Sequence, residues 1–346
     1  MHCQVYAKSS QNSRNKDASL TGNMRIDCQS HIFPDTYIDI LAQNPHPPQV
    51  IRSGSEAVVT YGDVQTFRLQ DEAYDPKRKL KDMDAAGVDM ALLSTNIPPP
   101  CMLVPELGNK GAQVINNAIA KLVDTYPHRF AGLACLPWQN PDEAIAEMDR
   151  VKQHGFRGVM LYSHIGGKPV DTPEFEPVYT HAETLRMPIV MHPTVPTWGD
   201  AIKDHWMIGM MGLQVDNSFA LLRLILSGIL ERHPDIQLVM PHVGGILPYM
   251  SGRIDHQTEV LGRARDNIAQ PPSAYLQRVY FDTVSPSAQA LQYAYEFSGA
   301  GRLLFGTDHP WVDMPRFVRL IEEMLIPEAD KARIFSENAI ELFDLN

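Results

Sequence analysis

Ile236–His242 reads IQLVMPH and Pro188–His192 reads PIVMH. Each is a short, nearly unbroken apolar run that stops on a histidine. A run of this kind is buried on both faces, as the strands of a parallel sheet are. Working outward, six more runs share the pattern: Met24–His31 (MRIDCQSH), Val88–Ser94 (VDMALLS), Phe130–Leu136 (FAGLACL), Gly158–Tyr162 (GVMLY), Val279–Asp282 (VYFD) and Arg302–Asp308 (RLLFGTD). Apolar spacing near 3.6 predicts helices between them, over Glu143–His154, Phe175–Arg186, Phe219–Arg232 and Ala288–Phe297. Eight strands, each with room for a following helix, predict an α/β chain folded as a (β/α)8 TIM barrel. Pro47–Asp71 and Thr194–Ser218 read as insertions after strands 1 and 5, and Pro327–Phe343 as a closing helix.

The 346 residues suit one such domain, expected over 24–346. Residues 1–23 are polar, lack the apolar core of a signal peptide, and are expected to form a loose tail. With 30 basic against 41 acidic residues the net charge is −11, which argues against a nucleic-acid partner. No run approaches the ~18 apolar residues of a membrane helix, so no membrane partner is expected. Cys3, Cys28, Cys101 and Cys135 are too few and too scattered for a disulfide framework, which makes the cytoplasm the expected compartment.

The strand ends carry the chemistry. The first ends in Gln29-Ser30-His31, the fifth in His192, the sixth in His242 and the eighth in Gly306-Thr307-Asp308. In a barrel these ends converge on one mouth, where barrel enzymes place their sites. Imidazoles and a carboxylate meeting there are suited to a divalent metal. Gln29 lies two residues from His31, so on a regular strand it points the same way and offers a neutral, weaker amide oxygen. Asp282, at the end of the seventh run, reads either as a support for a histidine or as a cap for the next helix. Trp206, Met207, Met210 and Met211, in the second insertion, read as a lid or subunit contact.

In order along the chain, Asp27–Pro34 (DCQSHIFP), His192-Pro193, His242–Gly245 (HVGG) and Gly306-Thr307-Asp308 resemble the amidohydrolase superfamily. More narrowly they resemble its aminocarboxymuconate-semialdehyde decarboxylase-related branch. Supporting blocks are Tyr74-Asp75-Pro76, Phe219–Pro234 and His242–Ile254, and the resemblance covers about Met24 to Leu345. It implies one divalent metal, with Zn2+ expected first and Mn2+ second, held by His31, His192 and Asp308. His242 would act as acid or base beside it, with Asp308 sharing the catalytic work. Arg253 would hold a substrate carboxylate, often in a neighbouring subunit's site, and Arg68 would be a second such arginine. The family usually has His or Glu where this chain has Gln29, so Gln29 would be a weak fourth ligand or none.

From the residues themselves, His164 after the fourth run and Trp311 in His309-Pro310-Trp311 are candidate substrate contacts, Trp311 as a pocket wall. The expected activity is metal-dependent, non-oxidative decarboxylation of a small aromatic or unsaturated carboxylic acid by a homodimer or higher homo-oligomer. Hydrolysis or hydration of a lactone or related ring compound is the alternative on the same metal. A degenerate, metal-free binding protein is the alternative outside enzymes.

Overall fold

The structure is a computed structural model that describes residues 24–53, 56–69 and 75–345. The tail expected over residues 1–23 lies outside them. Eight parallel strands form one sheet in the order β1 (Ile26–Ile32), β5 (Met90–Thr95), β6 (Phe130–Ala134), β7 (Gly158–Tyr162), β10 (Ile189–His192), β11 (Leu238–Met240), β12 (Tyr280–Asp282) and β13 (Leu303–Leu304). All eight apolar runs became these strands. The barrel closes between β13 and β1 through backbone bonds. Cys28 N–H donates to Phe305 O at 2.9 Å, Asp308 N–H to Gln29 O at 2.8 Å, and His31 N–H to His309 O at 2.8 Å. Strands β1, β5, β6, β7, β10, β11, β12 and β13 are buried almost throughout, the signature of a sheet covered on both faces.

Between β1 and β5 lies an antiparallel three-stranded sheet of β2 (Gln49–Ser53), β3 (Glu56–Thr60) and β4 (Thr66–Leu69). A small hairpin of β8 (His164–Ile165) and β9 (Lys168–Pro169) follows β7. After β10 a loop with short helical turns runs into the helix Leu213–Leu226, so the last residues of the expected second insertion are helical. The helix expected over Phe219–Arg232 breaks at Gly228, which has φ 80°, and resumes as Ile229–Arg232. A Cβ at Gly228 would stand 2.5 Å from the Asn267 carbonyl, so glycine is required there. The closing helix is split by one wide π-type turn at Arg333–Glu337. That turn matters to the barrel, because the Ile334 carbonyl accepts the Phe305 N–H at 2.8 Å.

The helix Pro76–Ala86 is delimited by side chains: Asp75 accepts the Lys77 N–H as N-cap, Pro76 sits at the first position, and Gly87 closes it at φ 67°. It carries Lys79 inward, fully buried against the ends of β1 and β13. No helix among the described residues is long and apolar enough to cross a membrane.

Candidate metal centre and active site

Register in β1 shifts between Asp27 and Ser30, a bulge that re-aims the side chains at the mouth of the barrel. Gln29 and His31 both lie on that strand, and both side chains are buried. Gln29 packs beside Gly306: a Cβ at that glycine would stand 3.2 Å from the Cβ of Gln29 and 3.2 Å from that of Asp282.

His31, His192 and Asp308 come together, with one ligand atom from each lying within 4.8 Å of the others. His31 Nε2 is 2.9 Å from Asp308 Oδ1, and its Nδ1 is 2.9 Å from Ser94 Oγ. The His192 ring stands edge-on to His31 with centroids 4.8 Å apart. Its Nδ1–H donates to the Pro193 carbonyl at 2.7 Å, which fixes the tautomer and leaves the Nε2 lone pair for the mouth. Burial pushes His31 down to about 3, helped by the Lys79 charge, and His192 down to about 4. Burial raises the Asp308 carboxyl. Neutral imidazoles with a directed lone pair are what a divalent metal requires of its ligands. The buried amide nitrogen of Gln29 makes no hydrogen bond among the described residues. An amide whose oxygen faces a cation has its NH2 turned away, so this orphan fits Gln29 as a neutral oxygen donor. The residues present fit one divalent ion.

His242 follows β11 and opens on the same cavity. Its ring makes no hydrogen bond to the described residues, and burial lowers it to about 4. Its backbone is unusual. His242 (φ 55°), Val243 (φ 52°), Gly244 (φ 81°) and Gly245 (φ 61°) are all left-handed in succession. A side-chain-bearing residue there is strained by roughly 1–2 kcal/mol, and most of all a β-branched one such as Val243. The turn is anchored by Asp282, whose Oδ1 accepts the His242 N–H at 2.6 Å and the Val284 N–H at 3.0 Å. Burial pushes the Asp282 carboxyl up to about 8, against the pull of those amides.

The cavity above these groups has a volume of about 810 Å3, within the range of small-molecule sites. Its walls are largely apolar, with Ile97, Leu213, Val284 and Phe317 among them. Phe67 of β4 meets Trp311 edge-on at 5.9 Å, so the first insertion and the loop after β13 share one wall. Met210 lines the cavity from the second insertion, while Trp206 and Met211 are exposed. Arg316 is the only Lys or Arg lining it among the described residues.

Other expected contacts lie elsewhere. Arg68 alternates with Phe67 on β4 and is exposed, and Arg253 is exposed on the helix Leu247–Asp255; neither lines the cavity. His164 is buried with both ring nitrogens engaged, to Val195 O at 2.9 Å and Gly167 N–H at 3.1 Å, and borders a separate cavity. Asn96, just past the end of β5, and Arg316 were missed by the sequence reading. A polar residue following a barrel strand was a signal for Asn96; nothing marked Arg316 among the other helix arginines.

The amidohydrolase family profile matches residues 26–345, and the chain belongs to that family. Gamma-resorcylate decarboxylase of Polaromonas sp. is 31% identical over 284 residues, covering 78% of this chain and 87% of that protein. The 2-amino-3-carboxymuconate-6-semialdehyde decarboxylase of Dictyostelium discoideum is 26% identical over 341 residues, covering 94% and 92%. Among solved structures, a dihydroxybenzoic acid decarboxylase from Polaromonas sp. with bound manganese and the inhibitor 2-nitroresorcinol superimposes with a TM-score of 0.80. It is 26% identical and covers 94% of this chain and 98% of its own. The resemblance to the decarboxylase branch thus holds along nearly the whole barrel.

Proposed function

We propose that the chain is a metal-dependent, non-oxidative decarboxylase of a small aromatic or unsaturated carboxylic acid. The observation that carries this is the His31, His192 and Asp308 cluster, of which His192 and Asp308 open on a cavity with largely apolar walls. The decarboxylases it resembles point the same way. One divalent ion, held by those three residues with Gln29 as a weak neutral donor, would polarise an oxygen beside the leaving carboxylate. Zinc outranks manganese for a mixed imidazole and carboxylate site by intrinsic affinity, so zinc is the first occupant proposed and manganese the second.

The chain's own groups do the rest. The apolar walls, with Trp311 and Phe67, clamp a planar ring and exclude water. When the ring-to-carboxylate bond breaks, the electron pair stays on the ring carbon and CO2 leaves. That carbon then takes one proton. His242, with its ring free in the cavity, hands over that proton and regains one from solvent; a bound anion raises its proton affinity from the low starting value. Asp308, whose carboxylate would hold the ion, faces the same cavity. Arg316 is placed to pair with an acidic group at the rim. Arg253 serves a carboxylate across a subunit interface, in a homodimer or larger homo-oligomer; a monomer in analytical ultracentrifugation would remove that role. The buried free thiols of Cys28, Cys101 and Cys135 suit a reducing cytoplasm.

The test is CO2 release from gamma-resorcylate and other hydroxybenzoates by metal-stripped and zinc- or manganese-reloaded protein. Metal-dependent CO2 with the decarboxylated arene as sole product is expected. A water-addition or hydrolysis product without CO2 would replace this reading.

Gln29 itself yields a prediction. Two imidazoles and one carboxylate leave a divalent ion under-neutralised. A Gln29→Glu change should therefore tighten metal binding, by about tenfold or more in chelator competition, since ligand charge sets affinity at such sites. Unchanged or weaker binding would show that residue 29 does not face the ion.

A further inference from the structure

We propose that Asp282 is a positioning residue for His242: its carboxylate clamps the strained left-handed turn that aims the imidazole into the cavity. The inference rests on His242 handling the proton, as proposed above, but its geometry stands separately.

The His242 ring has no hydrogen bond to any described residue, so its direction is set by the backbone that carries it. That backbone is held in four successive positive-φ residues, two of which have side chains. Left to itself, such a segment relaxes toward ordinary φ values and swings the Cα–Cβ bond of residue 242. Packing resists this on one side: a Cβ at Gly244 would meet Pro248 Cγ at 2.9 Å, and one at Gly245 would meet Ser218 Oγ at 2.4 Å. On the other side the polar anchor is Asp282. It is fully buried, sits at the end of the neighbouring strand β12, and receives the His242 amide at 2.6 Å. Its second oxygen, Oδ2, has no partner among the described residues, so the side chain's hydrogen bonding is spent on the amides of His242 and its own loop at Val284. A carboxylate that supported the sheet alone would have no reason to reach across to the strained residue of the next strand.

The test uses full-length, metal-loaded protein. With gamma-resorcylate as probe, Asp282→Ala should lower kcat about 100-fold, the loss that a misplacement near 1 Å produces, with KM within about threefold. Asp282→Asn keeps an acceptor oxygen for the His242 N–H and should restore most of that loss. A second arm needs no turnover. Val243→Gly relieves the positive-φ strain, so Asp282→Ala should lower the melting temperature clearly less in the Val243→Gly background than in the wild type. Equal losses in both backgrounds would overturn the clamp, as would an Asp282→Ala enzyme whose kcat is intact. His242→Ala with full activity would instead defeat the catalytic role of His242 and leave the thermal cycle to decide the clamp. If Asp282→Ala fails to fold, Asp282→Ser, whose shorter side chain does not reach the His242 amide, carries the same cycle.

Discussion

His192→Ala is expected to fall from near one equivalent of bound metal to below about a tenth, and to lose roughly 10³-fold in decarboxylation. The magnitude follows from the several kcal/mol that such an ion contributes at an oxygen carrying developing charge, at 1.36 kcal/mol per tenfold. His192 is the ligand for which the structure leaves least choice. Its Nδ1–H is spent on the Pro193 carbonyl, so only Nε2 can bind. The competing account is that His192 is a packed core histidine, edge-on to His31 at 4.8 Å and to Tyr162 at 5.7 Å. Removing a buried ring of that kind costs about 2–4 kcal/mol of stability through the cavity left behind, and does so whether or not metal is bound. The two accounts separate when metal content, melting temperature and turnover are measured on one preparation. A variant that melts lower yet keeps its metal and its rate would dismiss the ligand role. His192→Asn, which refills part of the space, should recover stability without recovering metal.

How much of this was legible in the chain depended on what kind of physics made each feature. The eight strands were visible because burial on both faces writes itself as continuous apolar runs. His192, His242 and Asp308 were visible because each ends such a run, and a barrel gathers those ends. The bulge in β1 was not, because nothing in Asp27-Cys28-Gln29-Ser30 distinguishes a shifted register from a regular one. Nor was the left-handed turn at His242: Gly244-Gly245 announces freedom, but Val243 at φ 52° contradicts its own preference, and the amide of His242 before it is bound by Asp282 from another strand. Phe67 and Arg316 reach the cavity through insertion and loop geometry that local sequence does not encode. Lys79 could have been found. In Lys77-Arg78-Lys79-Leu80-Lys81 it reads as one of a solvated basic group, yet it shares the buried helix face of Met83 and Ala86, at spacings of four and seven residues.

Lys79→Met should then destabilise the barrel by about 3 kcal/mol, at the lower edge of the cost of breaking a buried ion pair by removing one partner. The ammonium is fully buried and donates to Ser30 Oγ at 2.8 Å and to His309 Nδ1 at 2.8 Å, while His309 Nε2–H reaches Asp82 Oδ2 at 3.2 Å. Burial pushes Lys79 down and Asp27, whose charge offsets part of that loss, up. Methionine of similar length fills the space, and replacing a whole charged network by apolar groups is often neutral. Here only one member is removed. Ser30 Oγ and His309 Nδ1 are left without a partner in a dry interior, and Asp27 keeps a carboxylate no longer balanced, which is why the loss outweighs the gain from removing a desolvated ammonium. The lower edge is chosen because Asp27 spends its oxygens on Thr307 and on the Gln29 amide, with no direct bond to Lys79. Urea unfolding reads the result as a lowered midpoint with an unchanged slope. Lys79→Met/Asp27→Asn should lose less than the sum of the single changes, because the second substitution removes the stranded charge. A Lys79→Met protein with the wild-type midpoint would mean that the network contributes no net stability, and that His309 and Ser30 hold the ends of β1 and β13 without it.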